Sequence, residues 1–137
     1  MGKSDPDPKG RIELTDSPDV IRQKVKKAVT DFISEVTYDP ENRPGVSNLI
    51  DIHCAFKDLF PEDIVEDPQV LVMDTLAYKL HLADIIVECL APIQQEMIRL
   101  EKDPGYIDQV LREGRDKAKE IASETCQKAR EQMGLVL

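Results

Sequence analysis

The stretch that decides the fold is 72-VMDTLAYKLHLADIIVECLAPIQQEMIRLE-101. Leu76, Leu80, Ala83, Val87, Leu90 and Met97 recur at alternating spacings of three and four, apart from a gap at Gln94. That is the period of an α-helix rather than of a strand. Leu82, Ile85, Ile86, Ile93 and Leu100 widen the stripe beyond a coiled-coil seam, so the helix should be packed on more than one side. Pro92 lies inside it, removes one backbone hydrogen bond and crowds the preceding turn, which predicts a kink near Glu88–Pro92. Straight, such a helix would span roughly 45 Å.

Outward from this stretch the same period repeats. Towards the C-terminus, Asp103-Pro104 reads as a cap followed by proline, and Ile107, Val110, Leu111, Ala118, Ile121, Ala122, Thr125 and Ala129 continue a helical face to about Met133, with Gly134 as the stop. Gly114 interrupts this pattern and marks either a junction between two helices or a site of close packing. Towards the N-terminus, Ser47 reads as the cap of a helix with Leu49, Ile50, Ile52, Ala55, Phe56 and Leu59 on its apolar face. Pro61 ends it and opens a short acidic turn, Glu62 to Val65. Residues 33–45 are irregular, with turn signals at Asp39-Pro40, Asn42 and Pro44-Gly45. Further back, Ser17-Pro18-Asp19 begins a helix whose apolar stripe is Val20, Ile21, Val25, Ala28, Val29 and Phe32. Its other face holds Arg22, Lys24, Lys26 and Lys27, read either as solvated charge or as a basic edge beside bound phosphate. Residues 1–16 are polar loop, with Arg11 to Leu14 as a short extended piece. The fold class is therefore all-α: a helical bundle preceded by an irregular loop.

Composition narrows the function. Among 137 residues, 41% are hydrophobic, enough for one domain with a core. Only 4% are aromatic and there is no Trp, which argues against a stacking platform for single-stranded nucleic acid. Net charge is −9, whereas a free-standing nucleic-acid binder is normally basic. The charge is uneven: residues 61–90 carry seven acids and one base, residues 99–130 eight bases and seven acids. RNA contact should avoid the middle of the chain. Cys54, Cys89 and Cys126 are widely spaced, form no CxxC or Cys/His cluster, and read as free thiols in a reducing compartment rather than as zinc ligands. His53 and His81 each lie in a helical pattern without a carboxylate or thiol partner fixed by spacing, and read as packed or rim residues. No apolar run approaches a membrane span, and no signal or transit peptide pattern occurs.

Five short blocks carry a resemblance. Met1-Gly2-Lys3-Ser4-Asp5-Pro6 resembles the Lys-Met-Ser-Lys-Ser loop of class I aminoacyl-tRNA synthetases. Thr15-Asp16-Ser17-Pro18, the run Tyr38 to Leu49, Asp103-Pro104-Gly105-Tyr106 and the run Val110 to Gly114 are similar, in that order and spacing, to the C-terminal part of the tryptophanyl-tRNA synthetase family. The run Glu35 to Pro40 looks more like the animal mitochondrial members than most bacterial ones. Two departures stand: the first lysine of the loop motif is missing, and Gly2 replaces its serine. The chain is thus expected to be a fragment cut within its own catalytic loop.

The resemblance implies a parent that joins tryptophan to ATP, releases pyrophosphate and charges tRNA(Trp), with Mg2+ accompanying ATP and no protein-bound metal. It implies residues 1–16 as a catalytic-loop remnant and linker, and 17–137 as a C-terminal helical domain on the anticodon-binding side. Lys3 and Ser4 are the implied catalytic residues, and Met1, Gly2, Lys3 and Ser4 the ATP-binding ones. Removing one such transition-state donor typically costs about 2.7–4 kcal/mol. The bases around Gly114, namely Arg112, Arg115, Lys117 and Lys119, are the candidate tRNA contacts, against ordinary surface charge. The chain alone should be inactive, because no nucleotide-binding sheet, His-x-Gly-His element or tryptophan pocket is encoded. The parent should be a homodimer in the mitochondrial matrix or the bacterial cytoplasm, and the fragment a monomer. A non-catalytic acidic helical interaction module is the alternative reading.

Overall fold

The computed structural model describes residues 8–135. Six helices follow a single 3-10 turn at Pro8–Gly10: α1 (Pro18–Lys27), α2 (Pro44–Lys57), α3 (Pro61–Val65), α4 (Pro68–Leu71), α5 (Thr75–Glu101) and α6 (Pro104–Gln132). No strand occurs among the described residues. The all-α expectation therefore holds. Every helix except α5 carries proline in its first turn, where the missing N–H is no loss. At the start of α5, Asp74 accepts from the Ala77 N–H at 2.7 Å.

The chain divides into two units, one running to Gln94 and one from Gln95 onward. The first holds the core. Ile21 and Val25 of α1, Val46, Leu49 and Ile50 of α2, Ile64 of α3, Val70 of α4, and Tyr78, Leu82, Ala83, Ile86 and Leu90 of α5 pack together. Full burial of one such aliphatic side chain contributes about 1.5–3 kcal/mol. In the second unit, no residue of α6 is buried. The helix is stabilised locally instead. Asp103 accepts from the Tyr106 N–H at 3.0 Å, and Arg99 lies over the Tyr106 ring at 5.9 Å. At the C-terminal end Gly134 adopts φ +70°, which lets Gly134 N–H reach Glu131 O and Leu135 N–H reach Arg130 O.

Several local expectations are corrected. Arg11 to Leu14 is not extended: Asp16 folds back, its N–H on Glu13 O at 3.0 Å and its carboxylate on the Glu13 N–H at 2.9 Å. The α1 stripe stops short, for the helix ends at Lys27 and both Val29 and Phe32 are exposed. The tertiary structure captures the chain there: Lys79 Nζ donates to Ala28 O at 2.8 Å and to Thr30 Oγ1 at 2.9 Å. Ser47 does not cap α2, which begins at Pro44 after Arg43. Ser47 is buried in the helix, and its Oγ accepts from the Asp39 N–H at 2.9 Å. α2 ends at Lys57, with Asp58 in the left-handed region at φ 54°, so Pro61 starts α3 rather than ending α2.

On α5, Leu76 and Leu80 face solvent, while Tyr78 and Lys79 are buried. The helix continues through Pro92 to Glu101. Gly114 is neither a junction nor a packing site. α6 runs straight through it, and a Cβ built there meets nothing within 4 Å.

Candidate nucleic-acid interface

Met1, Gly2, Lys3 and Ser4, the residues the sequence points to for ATP, lie outside the described residues. The other candidates are on α6. At 3.6 residues per turn each step turns roughly 100°, which places Arg112, Arg115 and Lys119 within an arc of about 60°. Lys117 falls roughly 140° or more from each of them, so the four bases do not form one cluster. Arg130, five turns beyond Arg112, joins their row instead. All five side chains are exposed. Arg115 pairs with Asp116 at 2.8 Å, while Arg112, Lys117 and Lys119 make no ion pair among the described residues. The opposite flank of α6 carries Glu113, Glu120, Glu124 and Glu131, with the apolar stripe between the two. The basic row can meet a polyanion only along one side of the helix.

The polar groups that are buried serve the fold. Arg43, 6% exposed, is the hub of the irregular segment that precedes α2. Its guanidinium forks onto Asp31, Nε to Oδ2 and Nη2 to Oδ1, each at 2.8 Å. It also donates to the Ile33 and Glu35 carbonyls and to Thr37 Oγ1. A guanidinium presents such a fork; an ammonium does not. This hydrogen-bonded partner holds the Asp31 carboxyl down at about 2. Burial pushes the Lys79 ammonium below its usual range, yet both of its oxygen partners are fixed by the segment after α1.

His53 is buried, with Nδ1 3.2 Å from the Tyr78 hydroxyl and its ring 5.8 Å from that of His81. Desolvation first, then the nearby His81 and Lys57, lower its pKa. This agrees with the packed reading and assigns no proton-transfer partner. Tyr78 is raised by its burial. Arg43, Lys79 and Tyr78 were not singled out by periodicity. The one signal was the charged residue inside Asn42-Arg43-Pro44-Gly45, where a turn alone needs none. Among the described residues no group of three or more His, Cys, Asp or Glu side chains is placed to hold a metal ion. Cys54 and Cys89 are half-buried and Cys126 exposed, all as free thiols.

The profile of the tRNA synthetases class I (W and Y) family matches residues 1–91. Across 99% of its length the chain is 42% identical to tryptophan–tRNA ligase 1 of Streptomyces coelicolor, of which it covers 39%. It is 39% identical to the tryptophan–tRNA ligase of Rickettsia bellii, covering 100% of this chain and 40% of that one. Among solved structures, tryptophanyl-tRNA synthetase from Mycoplasma pneumoniae superimposes with a TM-score of 0.75 over 100% of this chain and 42% of its own, at 24% identity, a likeness of fold. The chain thus spans well under half the length of these relatives.

Proposed function

Because the chain belongs to the class I tRNA synthetases of the W and Y family, we propose that it is the C-terminal part of a tryptophan–tRNA ligase. The observation that carries this reading is the end-to-end similarity, at about 40% identity, to proteins that bear that name. The parent activates tryptophan with ATP, accompanied by Mg2+, and passes the acyl group to tRNA(Trp). Residues 1–16 supply the end of its catalytic loop, with Lys3 against the departing pyrophosphate and Ser4 holding the loop closed. Met1 and Gly2 complete that ATP-binding strand of chain. Residues 17–137 form the anticodon side, where Arg112, Arg115 and Lys119 contact phosphates of the tRNA. Lys117, on the other side of α6, supports that surface less. The parent acts as a homodimer. The likeness of the run Glu35 to Pro40 to animal mitochondrial members supports a parent in the mitochondrial matrix, and the bacterial origin of the relatives supports the bacterial cytoplasm as the alternative.

The test is a hybrid. This chain replaces the matching part of the Streptomyces coelicolor ligase, and charging of tRNA(Trp) and tRNA(Tyr) is measured. Charging of tRNA(Trp) with tryptophan is expected. A folded, dimeric hybrid that charges neither, or prefers tyrosine, sinks the reading. The 137-residue chain alone is expected to give no tryptophan-dependent ATP–pyrophosphate exchange, because the elements that position the substrates are not encoded in it.

A further inference from the structure

The apolar stripe of α5 is interrupted at Gln94, where the spacing calls for an apolar residue. The fold gives this amide a use. Gln94 Nε2 donates to Leu14 O and to Asp16 O, each at 2.9 Å, across 80 and 78 residues of chain. An amide nitrogen carries two hydrogens, so both are spent on backbone carbonyls. The two carbonyls lie just before Ser17, the cap of α1, in an irregular segment.

A second tie acts on the same residue. Asp16 pairs with Lys24 of α1 at 2.5 Å, and the two side chains are only 13% and 12% exposed. Burial by itself would raise the Asp16 carboxyl. The Lys24 hydrogen bond, the Glu13 N–H and the charges of Lys24 and Arg11 outweigh this and lower it, so Asp16 is ionised at neutral pH. Ile12, from the same segment, packs against the core. Irregular chain is ordered only where something outside it offsets the conformational entropy lost. Here the ties gather at residues 12–16, where the chain enters α1.

We propose that Gln94, backed by the Lys24–Asp16 pair, is a positioning residue for the adenylation step: it fixes the base of the segment that bears Lys3 and Ser4. This rests on the ligase reading above. In that step a carboxylate oxygen of tryptophan bonds to the α-phosphorus of ATP and pyrophosphate leaves, with Lys3 against it. In the next step a ribose hydroxyl of tRNA(Trp) takes the acyl group and AMP leaves, with no pyrophosphate present. Gln94 therefore bears on the first step and not on the second. Misplacing a reacting group by about 1 Å can cost about a hundredfold in rate.

The test uses the hybrid ligase that carries this chain. Gln94→Met keeps the length of the side chain and removes its donors, whereas Gln94→Lys supplies donors of similar reach. Gln94→Met is expected to lower kcat for tryptophan-dependent ATP–pyrophosphate exchange by about tenfold to a hundredfold. KM for tryptophan should stay within about twofold. Gln94→Lys should recover most of the loss. Acyl transfer from preformed tryptophanyl-adenylate to tRNA(Trp) should stay within about twofold in both variants. Lys24→Met breaks the second tie, should slow exchange in the same way, and decides the matter if Gln94→Met fails to fold. In the 137-residue chain, Gln94→Met should speed hydrogen–deuterium exchange at the Glu13 and Asp16 amides while those of α2 stay protected. Exchange and transfer falling together, or no rescue by lysine, would overturn the positioning role. An active hybrid indifferent to Gln94→Met and Lys24→Met would remove that role alone. A folded, unsubstituted hybrid without exchange would remove the ligase reading, and this role with it.

Discussion

Arg43 shows at the scale of one residue how a polar side chain organises an apolar fold. Its fork on Asp31 and its carbonyl contacts tie down the segment 31–37, which has no helix or strand of its own. Arg43→Ala is expected to lower unfolding free energy by roughly 1–3 kcal/mol, because it removes the fork on half-buried Asp31 and three further hydrogen bonds, which are made to the exposed residues Ile33, Glu35 and Thr37. Arg43→Lys should recover less than half, since a point charge cannot fork. Urea unfolding checks both, and a loss below about 0.5 kcal/mol for alanine would deny Arg43 this role. The pair also has a pH signature. Asp31 is depressed to about 2 in the fold, so its contribution is present above the ordinary carboxylate range and is lost as pH falls through that value. His53 acts at higher pH. Its pKa is lowered in the fold, so the unfolded chain binds the proton more readily, and stability drops as pH falls below about 6.5. Unfolding at pH 7.5 and 5.5 should show this drop, and His53→Gln should shrink it. A drop of the same size in the variant would assign it to other groups.

At the scale of the element, two glycines predict opposite outcomes from one substitution. Gly45→Ala forces a Cβ against Val29 O and should cost roughly 1–3 kcal/mol despite alanine's better helix propensity. Gly114→Ala adds a Cβ in open space within a continuous helix, and should stabilise α6 by up to about 1 kcal/mol, read as higher helical ellipticity and a later melt. Much of the element map was legible. Ser17-Pro18 and Asp103-Pro104 named the starts of α1 and α6, and Gly134 named the end of α6. Proline was the ambiguous sign. Pro44 looked like a turn residue and Pro61 like a helix end, yet both begin helices, because the same fixed φ suits a turn and a first helical position. The basic candidates around Gly114 were legible as charge but not as a surface. Whether Lys117 shares a face with Arg112 depends on one unbroken helical phase, and Gly114 had left that open.

At the scale of the whole molecule, stability and candidate function occupy different places. The buried apolar residues among those described all lie between Ile21 and Leu90, while α6 is exposed along its length. A chain ending at Glu101 should therefore keep its cooperative unfolding free energy within about 0.5 kcal/mol of the full chain, as surface changes usually do. A loss of several kcal/mol on calorimetry or urea unfolding would sink this expectation.

By itself the sequence determined the all-α class, the presence and several of the limits of the long helices, and the family, because these rest on local periodicity, capping residues and ordered motifs read along the chain. Only the tertiary structure decided that Tyr78 and Lys79 face inward while Leu76 and Leu80 face out, that α1 stops at Lys27, and that Ser47 is buried. Each of these depends on a partner far away in the chain, such as Thr30 for Lys79 or His53 for Tyr78. Hydrophobic period measures how apolar a face is. It does not measure which polar groups on that face can be satisfied by distant oxygens and rings once the helices have packed.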